Sequence, residues 1–202
     1  MANLSSLTDE QLALAYASGD NRAFDELLER NQSKLFTYIY FTTGDYEVAN
    51  DIFQDTFLKV IKKLQEGKYQ ASGKFRHWIT SIAHNAIIDW FRSSNRIMVT
   101  NIEDAENNGG SDWQPDLNDG EETILSEQMK KELRRMVVKL PHSQREVVYL
   151  RYYCGMPFKE IAEVTNVSIN TSLGRMRYAV LNLRKMMCRG NVPHLRQLEQ
   201  KA

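Results

Sequence analysis

Long apolar runs are missing from this chain. No stretch of the 202 residues approaches the length that crosses a bilayer, so the protein is not expected to sit in a membrane. The first ten residues, MANLSSLTDE, hold neither a basic nor an apolar block, and no secretory leader is expected. Cysteine is scarce. Cys154 and Cys188 are the only two, which suits a reduced cytoplasmic protein better than a disulfide-stapled one. No Cys or His pair has zinc-ligand spacing, and no internal repeat is evident. His77, His84 and Asp89 share one segment, but their spacing is that of a helix face and no further ligand cluster accompanies them. The expectation is no catalytic residue, no metal, no cofactor and no small-molecule substrate.

Net charge is also absent, yet its parts are not. Residues 1–96 carry 11 Lys/Arg against 12 Asp/Glu. Residues 97–127 carry 9 acidic side chains and no Lys or Arg, while residues 128–202 carry 15 basic against 5 acidic. A basic C-terminal unit behind an acidic connector is the layout of a polyanion binder, because charges that only solvate a surface rarely segregate this cleanly.

The first half reads as helices. Thr8 and Gln11 form a T-x-x-Q box for a short helix ending before Gly19, and Asp20 caps the next. That second helix spaces Phe24, Leu27, Leu28, Leu35 and Ile39 at helical period, and Tyr38–Phe41 is apolar nearly all round. Gly44 ends it and Asp45 caps a third, which turns Val48, Ala49, Ile52, Phe53, Phe57, Val60, Ile61 and Leu64 inward. Asp51, Gln54, Asp55 and Leu58 fall on another face of that helix. A flexible loop, Glu66 to Lys74, precedes a fourth helix whose stripe is Phe75, Ile79, Ile82, Ala83, Ala86, Ile87 and Trp90. Lys68, Lys74, Arg76, His77, Arg92 and Arg96 flank that stripe. Basic and aromatic residues interleaved beside a loop describe a surface for single-stranded nucleic acid, where planar side chains stack on bases and cations hold the backbone. Trp78, Trp90 and Phe91 also suit a core, and Trp90 is expected there. Asn85 and Asp89, four apart, suit a helix–helix hydrogen bond as well as a DNA contact.

Residues 97–121 are acidic, rich in Asn, Gly and Asp, and lack apolar periodicity, so they read as a linker spanning roughly 30 Å as a coil. Its acidity is expected to screen the basic C-terminal domain in the free protein, and Trp113 reads either as an anchor or as exposed. A helix over Thr123–Lys139 then turns Ile124, Leu125, Met129, Leu133, Met136 and Val137 inward. Pro141 stops it, and Ser143 with Glu146 make an S-x-x-E box for another helix, with Val147, Val148, Leu150 and Tyr153 inward and Gly155 at its end. Pro157 opens a short helix with Ile161 and Ala162 inward. Thr165, Asn166 and Val167 turn the chain, and Ser168 caps a last helix whose exposed face carries Asn170, Thr171, Arg175, Arg177 and Arg184. Two helices joined so tightly form a helix-turn-helix, and Asn, Thr and Arg in the first turns of the second suit the major groove. A helical hairpin with a merely solvated basic face is the bland alternative.

The order of residues is more specific than the periodicity. Leu140-Pro141, Gln144-Arg145, Leu150-Arg151-Tyr152, Gly155, Ile161-Ala162, Ser168, Thr171, Arg175, Ala179 and Leu183-Arg184 resemble the C-terminal region of bacterial sigma factors of the extracytoplasmic-function (ECF) type, in the sigma-70 family. Phe75, Arg76, Trp78, Ile79, Ile82, Ala83, Asn85, Asp89 and Arg92 match that family's F-R-x-W-[IL]…I-A-x-N…D-x-x-R segment, and ANDIFQDTFLKVI is similar to its polymerase-docking segment. Two positions depart: Asn166 stands where Gly is usual, though it tolerates the same backbone region, and Leu173 stands where Lys is common. An exposed Leu173 would meet a thymine methyl rather than a phosphate.

The resemblance implies an all-α protein of two small helical domains joined by a flexible acidic linker, the second containing the helix-turn-helix. It implies a domain at 1–96 for core polymerase docking and −10 recognition and melting, a linker at 97–121, a −35 domain at 122–187 and a tail at 188–202. By the same resemblance Asp51, Gln54, Asp55 and Leu58 meet the coiled coil of the polymerase's largest subunit, and the polymerase flap is a further contact. Lys68, Tyr69, Ser72, Lys74, Arg76, Trp78, Asn85, Asp89, Arg92 and Arg96 serve the −10 element, with Tyr69 to Lys74 capturing a melted base. Ser168, Asn170, Thr171, Leu173, Gly174, Arg175, Arg177 and Tyr178 serve the −35 duplex. Implied partners are core RNA polymerase, promoter DNA and an anti-sigma factor. A stand-alone repressor or activator would share the helix-turn-helix, but residues 20–96 supply neither an obvious ligand pocket nor dimerising heptads. An enzyme would need more than the three residues of one helix face.

Overall fold

Cap residues set most of the helix boundaries. In the computed structural model, which describes residues 4–98 and 127–189 with side chains for 4–94 and 131–188, a short 3-10 turn at Leu4–Ser6 leads into α1, Asp9–Ala17. Thr8 Oγ1 accepts the Gln11 N–H at 3.3 Å and Gln11 Oε1 accepts the Thr8 N–H at 2.9 Å, so the predicted capping box is closed on both sides. Asp20 accepts the Arg22 N–H at 3.2 Å and starts α2, Asn21–Thr43. Gly44 leaves α2 at φ 79°, a left-handed position that a side chain would strain. Asp45 then accepts the Val48 N–H at 3.1 Å to start α3, Tyr46–Gln65. The fourth helix, α4, runs Phe75–Met98, so the helix continues past the expected linker start at residue 97.

These four helices form one unit. Helix α2 packs on α1, α3 and α4, and α3 packs on α4. Leu12, Leu27, Tyr38, Ile39, Val60, Leu64, Ile79 and Ile87 are closed off from water at its centre. Burying one such side chain is worth roughly 1.5–3 kcal/mol. Arg30 adds a polar tie that periodicity does not predict. It pairs with Glu26 at 2.7 Å and donates to the carbonyls of Leu7 at 2.6 Å and Ser5 at 2.9 Å, fastening the N-terminal turn to α2. Trp90 is half-buried rather than core: it lies near the outer end of α4, and its ring packs against Phe91 at 4.9 Å.

The second unit contains α5 (Glu127–Val138), α6 (His142–Val148), a wide π turn at Tyr149–Tyr153, α7 (Phe158–Val164) and α8 (Ile169–Arg189). Helices α5, α6 and α7 all pack on α8. The Ser143–Glu146 capping box does not form. Pro141, held at φ −51° and ψ 142°, takes the cap position without a side-chain bond, and α6 begins one residue before Ser143. Glu146 is buried. Gly155 does take the left-handed conformation, at φ 65°. Pro157 caps α7, whose Ile161 and Ala162 are buried as expected. Asn166 supplies the turn at φ 50°, and Val167 N–H bonds back to the Ala162 carbonyl at 3.0 Å, so the missing glycine costs the turn nothing in geometry.

The rest of the expected linker, residues 99–121, with Trp113 and the acids expected to screen the second domain, lies outside the described residues, as do Ile124, Leu125, the Met129 and Arg96 side chains and the residues beyond Arg189. Neither Cys154 nor Cys188 is in a disulfide, and both are exposed. Among the described residues no helix is long and apolar enough to cross a membrane.

Candidate nucleic-acid and polymerase interfaces

The amino end of α8 is built as a presentation surface. Ser168 Oγ accepts the Thr171 N–H at 3.0 Å, fixing the first turn. The inward side of the helix is narrow, with Ser172 and Ala179 fully covered. Small residues there let α8 lie close on its neighbours. The outward side then carries Asn170, Thr171, Arg177 and Arg184, all exposed, with Arg175 half-buried beside them. Leu173 is 44% exposed, Ile169 46% and Tyr178 61%. Helix α8 contains no acidic residue at all. Such a face has hydrogen-bond donors, cations and methyl-seeking apolar groups together, which is what a base-pair edge flanked by phosphates requires. Behind it, Asn182 Nδ2 donates to Gln144 Oε1 at 2.9 Å, and Arg151 stacks over Phe158 at 5.4 Å while donating to the Met156 carbonyl.

In the first unit the loop between α3 and α4 closes over an aromatic floor. The Tyr69 ring lies 4.6 Å from Trp78 and 5.5 Å from Phe75, and Phe75 lies 5.6 Å from Trp78. The Tyr69 phenol donates to Glu10 of α1, and nearby Gln65 donates to the Tyr16 phenol at 3.0 Å. Burial, and secondly the Glu10 hydrogen bond, push the Tyr69 phenol well above its ordinary pKa. Gly67 at φ 65° and Gly73 at φ 73° bracket an exposed arch containing Gln70, Ala71 and Ser72, and the exposed Lys74 follows it directly. Arg76 is exposed at the start of α4. Tyr69 is therefore the root of the arch, and Ser72 is in its open part with Lys74 just after it. Lys68 pairs with Glu66 at 2.7 Å, and its ammonium holds that carboxyl below the usual range. Asn85 is exposed, and Asp89 pairs with Arg92 at 3.7 Å along the same helix rather than bonding a neighbouring one.

The expected docking face of α3 is open. Asp51, Gln54 and Asp55 are exposed, and Leu58 is 64% exposed in their midst. Asp55 pairs with Lys59 at 2.8 Å. Among the described residues, no group of three or more His, Cys, Asp and Glu is placed to hold a metal ion, and His84 is buried while Asp89 points to solvent.

Comparison with known proteins places both halves. Residues 27–97 match Sigma-70 region 2, and residues 130–172 match Sigma-70 region 4. The RNA polymerase sigma factor YlaC of Bacillus subtilis (strain 168) is 30% identical over 169 residues, covering 82% of this chain and 92% of YlaC. This chain belongs to the extracytoplasmic-function sigma factors of the sigma-70 family. As a sigma factor it directs RNA polymerase to promoters. The ECF RNA polymerase sigma factor SigW of the same organism is 26% identical over 172 residues, covering 84% of this chain and 91% of SigW. The solved sigma factor RpoE of Bartonella quintana, in complex with the anti-sigma factor NepR, shares the fold with a TM-score of 0.61 at 18% identity, covering 82% of this chain and 97% of that one.

Within this sigma factor the candidate DNA-contact residues divide into two clusters, one in each unit, and the docking candidates lie apart on α3. The −35 candidates gather on one helix, and Ile169 joins them though its apolar character gave no reason to select it. The −10 candidates gather at the arch and along α4, but Tyr69 and Trp78 spend their rings on each other. Glu10, Tyr16 and Gln65 stand behind the root of the arch, and nothing in the sequence pattern marks them. Glu10 lies 59 residues from Tyr69 and no local pattern connects them.

Proposed function

We propose that the two units divide promoter recognition between them. The first domain, 1–96, docks on the largest-subunit coiled coil of core polymerase through Asp51, Gln54, Asp55 and Leu58 and holds melted −10 bases at the arch. Acidic residues around a central exposed leucine suit a basic partner with an apolar centre, since charge steers and buried apolar area holds. Ser72, Lys74 and Arg76 contact the displaced strand, with Arg92 and Arg96 following its backbone and Tyr69 and Trp78 forming the floor beneath a captured base. The second domain reads the −35 duplex through α8 and rests on the polymerase flap, with a linker beginning after α4 and a tail beginning after α8. The reading rests chiefly on α8: a capped helix whose first turns expose Asn, Thr and Arg, with no acidic residue.

Binding supplies the free energy, through phosphate neutralisation, groove contacts and capture of unstacked bases, and no covalent step is assigned to any residue. The work takes place in the cytoplasm, where polymerase and promoter are. An anti-sigma factor that covers the α3 face or the α8 face would hold the protein inactive; the Bartonella quintana relative was solved in complex with the anti-sigma factor NepR.

Footprinting of the polymerase complex tests the division. Arg177→Ala is expected to erase protection at −35 while leaving strand opening on a strong −10 element. Lys74→Ala and Arg76→Ala are expected to reduce permanganate reactivity of −10 thymines while leaving −35 protection. Interchanged or uniform effects would contradict the assignment.

A further inference from the structure

We propose that the bare backbone at Gly174 is a seat for a thymine in the major groove, with Leu173 reading its methyl group, so that −35 recognition by this protein depends on a thymine C5-methyl. The inference rests on the reading of α8 as the −35 helix and specifies what that helix selects.

A glycine within a helix is held at a cost, because its backbone has more freedom to lose than alanine's. Two internal reasons normally justify one. The first is a left-handed backbone, and Gly174 is not among the residues with positive φ. The second is close approach of another part of the fold. Beyond its own turn of helix and its chain neighbours, a Cβ at Gly174 would meet no atom within 4 Å. Neither reason applies, so the missing side chain serves something outside the chain.

The surroundings define that partner. On a helix, position 174 is walled by 170, 171, 177 and 178. Asn170, Thr171, Arg177 and Tyr178 are all exposed, and none is acidic. Helix α8 carries Arg175, Arg177, Arg184, Lys185 and Arg189 and no Asp or Glu, so the charge complement is a polyanion. Ile169 and Leu173, four apart on one ridge, expose branched aliphatic chains beside the notch at 46% and 44%. The apolar group that a major groove offers is the thymine methyl, while the neighbouring donors suit base-edge acceptors. A notch without a Cβ brings the duplex close enough for the short Leu173 side chain to touch that methyl.

The test uses the full chain with core polymerase and a promoter it transcribes. Each −35 thymine is replaced in turn by deoxyuridine, which removes the C5-methyl and nothing else. At one or two positions promoter binding is expected to fall about fourfold, the worth of one buried methyl group. Leu173→Ala is expected to make those replacements silent. Gly174→Ala is expected to hold or raise the unfolding midpoint, since alanine is the better helix former, yet weaken binding at the −35 element tenfold or more. If every uridine replacement is silent, or Gly174→Ala binds as wild type, while scrambling the −35 element still abolishes binding, this inference fails and the −35 reading stands. If scrambling has no effect, the −35 reading itself fails, and the inference with it. A Gly174→Ala protein that loses retention on core polymerase with unchanged DNA discrimination would put a protein in the notch and overturn the proposal.

Discussion

Replacing Tyr69 with Phe removes one hydroxyl and tests how the arch is fixed. In the native protein that hydroxyl donates to Glu10, whose other carboxylate oxygen is buried without a hydrogen-bond partner. Tyr69→Phe keeps the ring stacked 4.6 Å from Trp78 but strips the carboxylate of its donor. Stranding a buried acceptor costs about 1–3 kcal/mol, and the half-buried position lets water recover part of it, so the expected loss is about 1–2 kcal/mol. Urea unfolding followed by tryptophan fluorescence is the assay, because Trp78 and Trp90 both lie in α4 and report the first unit. Glu10→Gln and the double variant complete a cycle, and a coupling of about 1 kcal/mol is expected between contacting groups. The arch should loosen as well, so −10 opening should fall more than −35 protection. Additive single effects, or a Tyr69→Phe loss below about 0.3 kcal/mol, would refute the tie between α1 and the arch.

Leu58→Asp should leave the unfolding midpoint within about 0.5 kcal/mol of wild type, since the side chain is largely exposed, while retention on core polymerase falls about tenfold, checked by co-elution. Ser168→Ala should cost the second unit about 1 kcal/mol through loss of the Thr171 cap, measured by thermal unfolding. Ser168→Asp should restore the cap and still impair −35 binding, by bringing a negative charge to the phosphates. Stability should fall in alkali. Burial raises the phenol pKa of both Tyr69 and Tyr149, so above about pH 10 the unfolded chain releases protons that the native state keeps. The stabilising contribution is complete below the ordinary tyrosine pKa and is lost as pH rises through the raised ones. Unfolding midpoints at about pH 8 and about pH 11 should show this decline, and Tyr69→Phe should lessen it.

Short-range signals were the legible part of the fold. The Thr8–Gln11 box, the Asp20 and Asp45 caps, Gly44, Gly155 and Ser168 each depend on groups within a few residues, and each stands in the structure as read. The same holds for buried stripes, since helical period places Leu27, Leu35 and Ile39 on one side regardless of partner. The Ser143–Glu146 box failed because Pro141 occupies the cap with a fixed φ, which puts Ser143 inside the first turn. The wide turn at Tyr149–Tyr153 has no period to announce it: Cys154 N–H reaches back five residues to the Tyr149 carbonyl at 3.2 Å. Long-range polar ties were invisible for a similar reason. Arg30 holds carbonyls more than twenty residues away and Tyr69 holds Glu10 across 59, and neither spacing carries a local pattern. At the candidate sites, residue type and order singled out the residues, whereas the distinction between the root of the arch and its open part needed the ring distances.

Multi-round transcription with purified bacterial core polymerase tests the central claim most directly. Genomic fragments from the host organism serve as templates, with and without this protein. The account predicts new, discrete start sites that appear only with the protein present and that share two upstream motifs at −35 and −10. It also predicts that Arg177→Ala and Lys74→Ala each weaken those starts through a different motif. Start sites indistinguishable from those of core polymerase alone, together with failure to co-elute with it, would contradict the account.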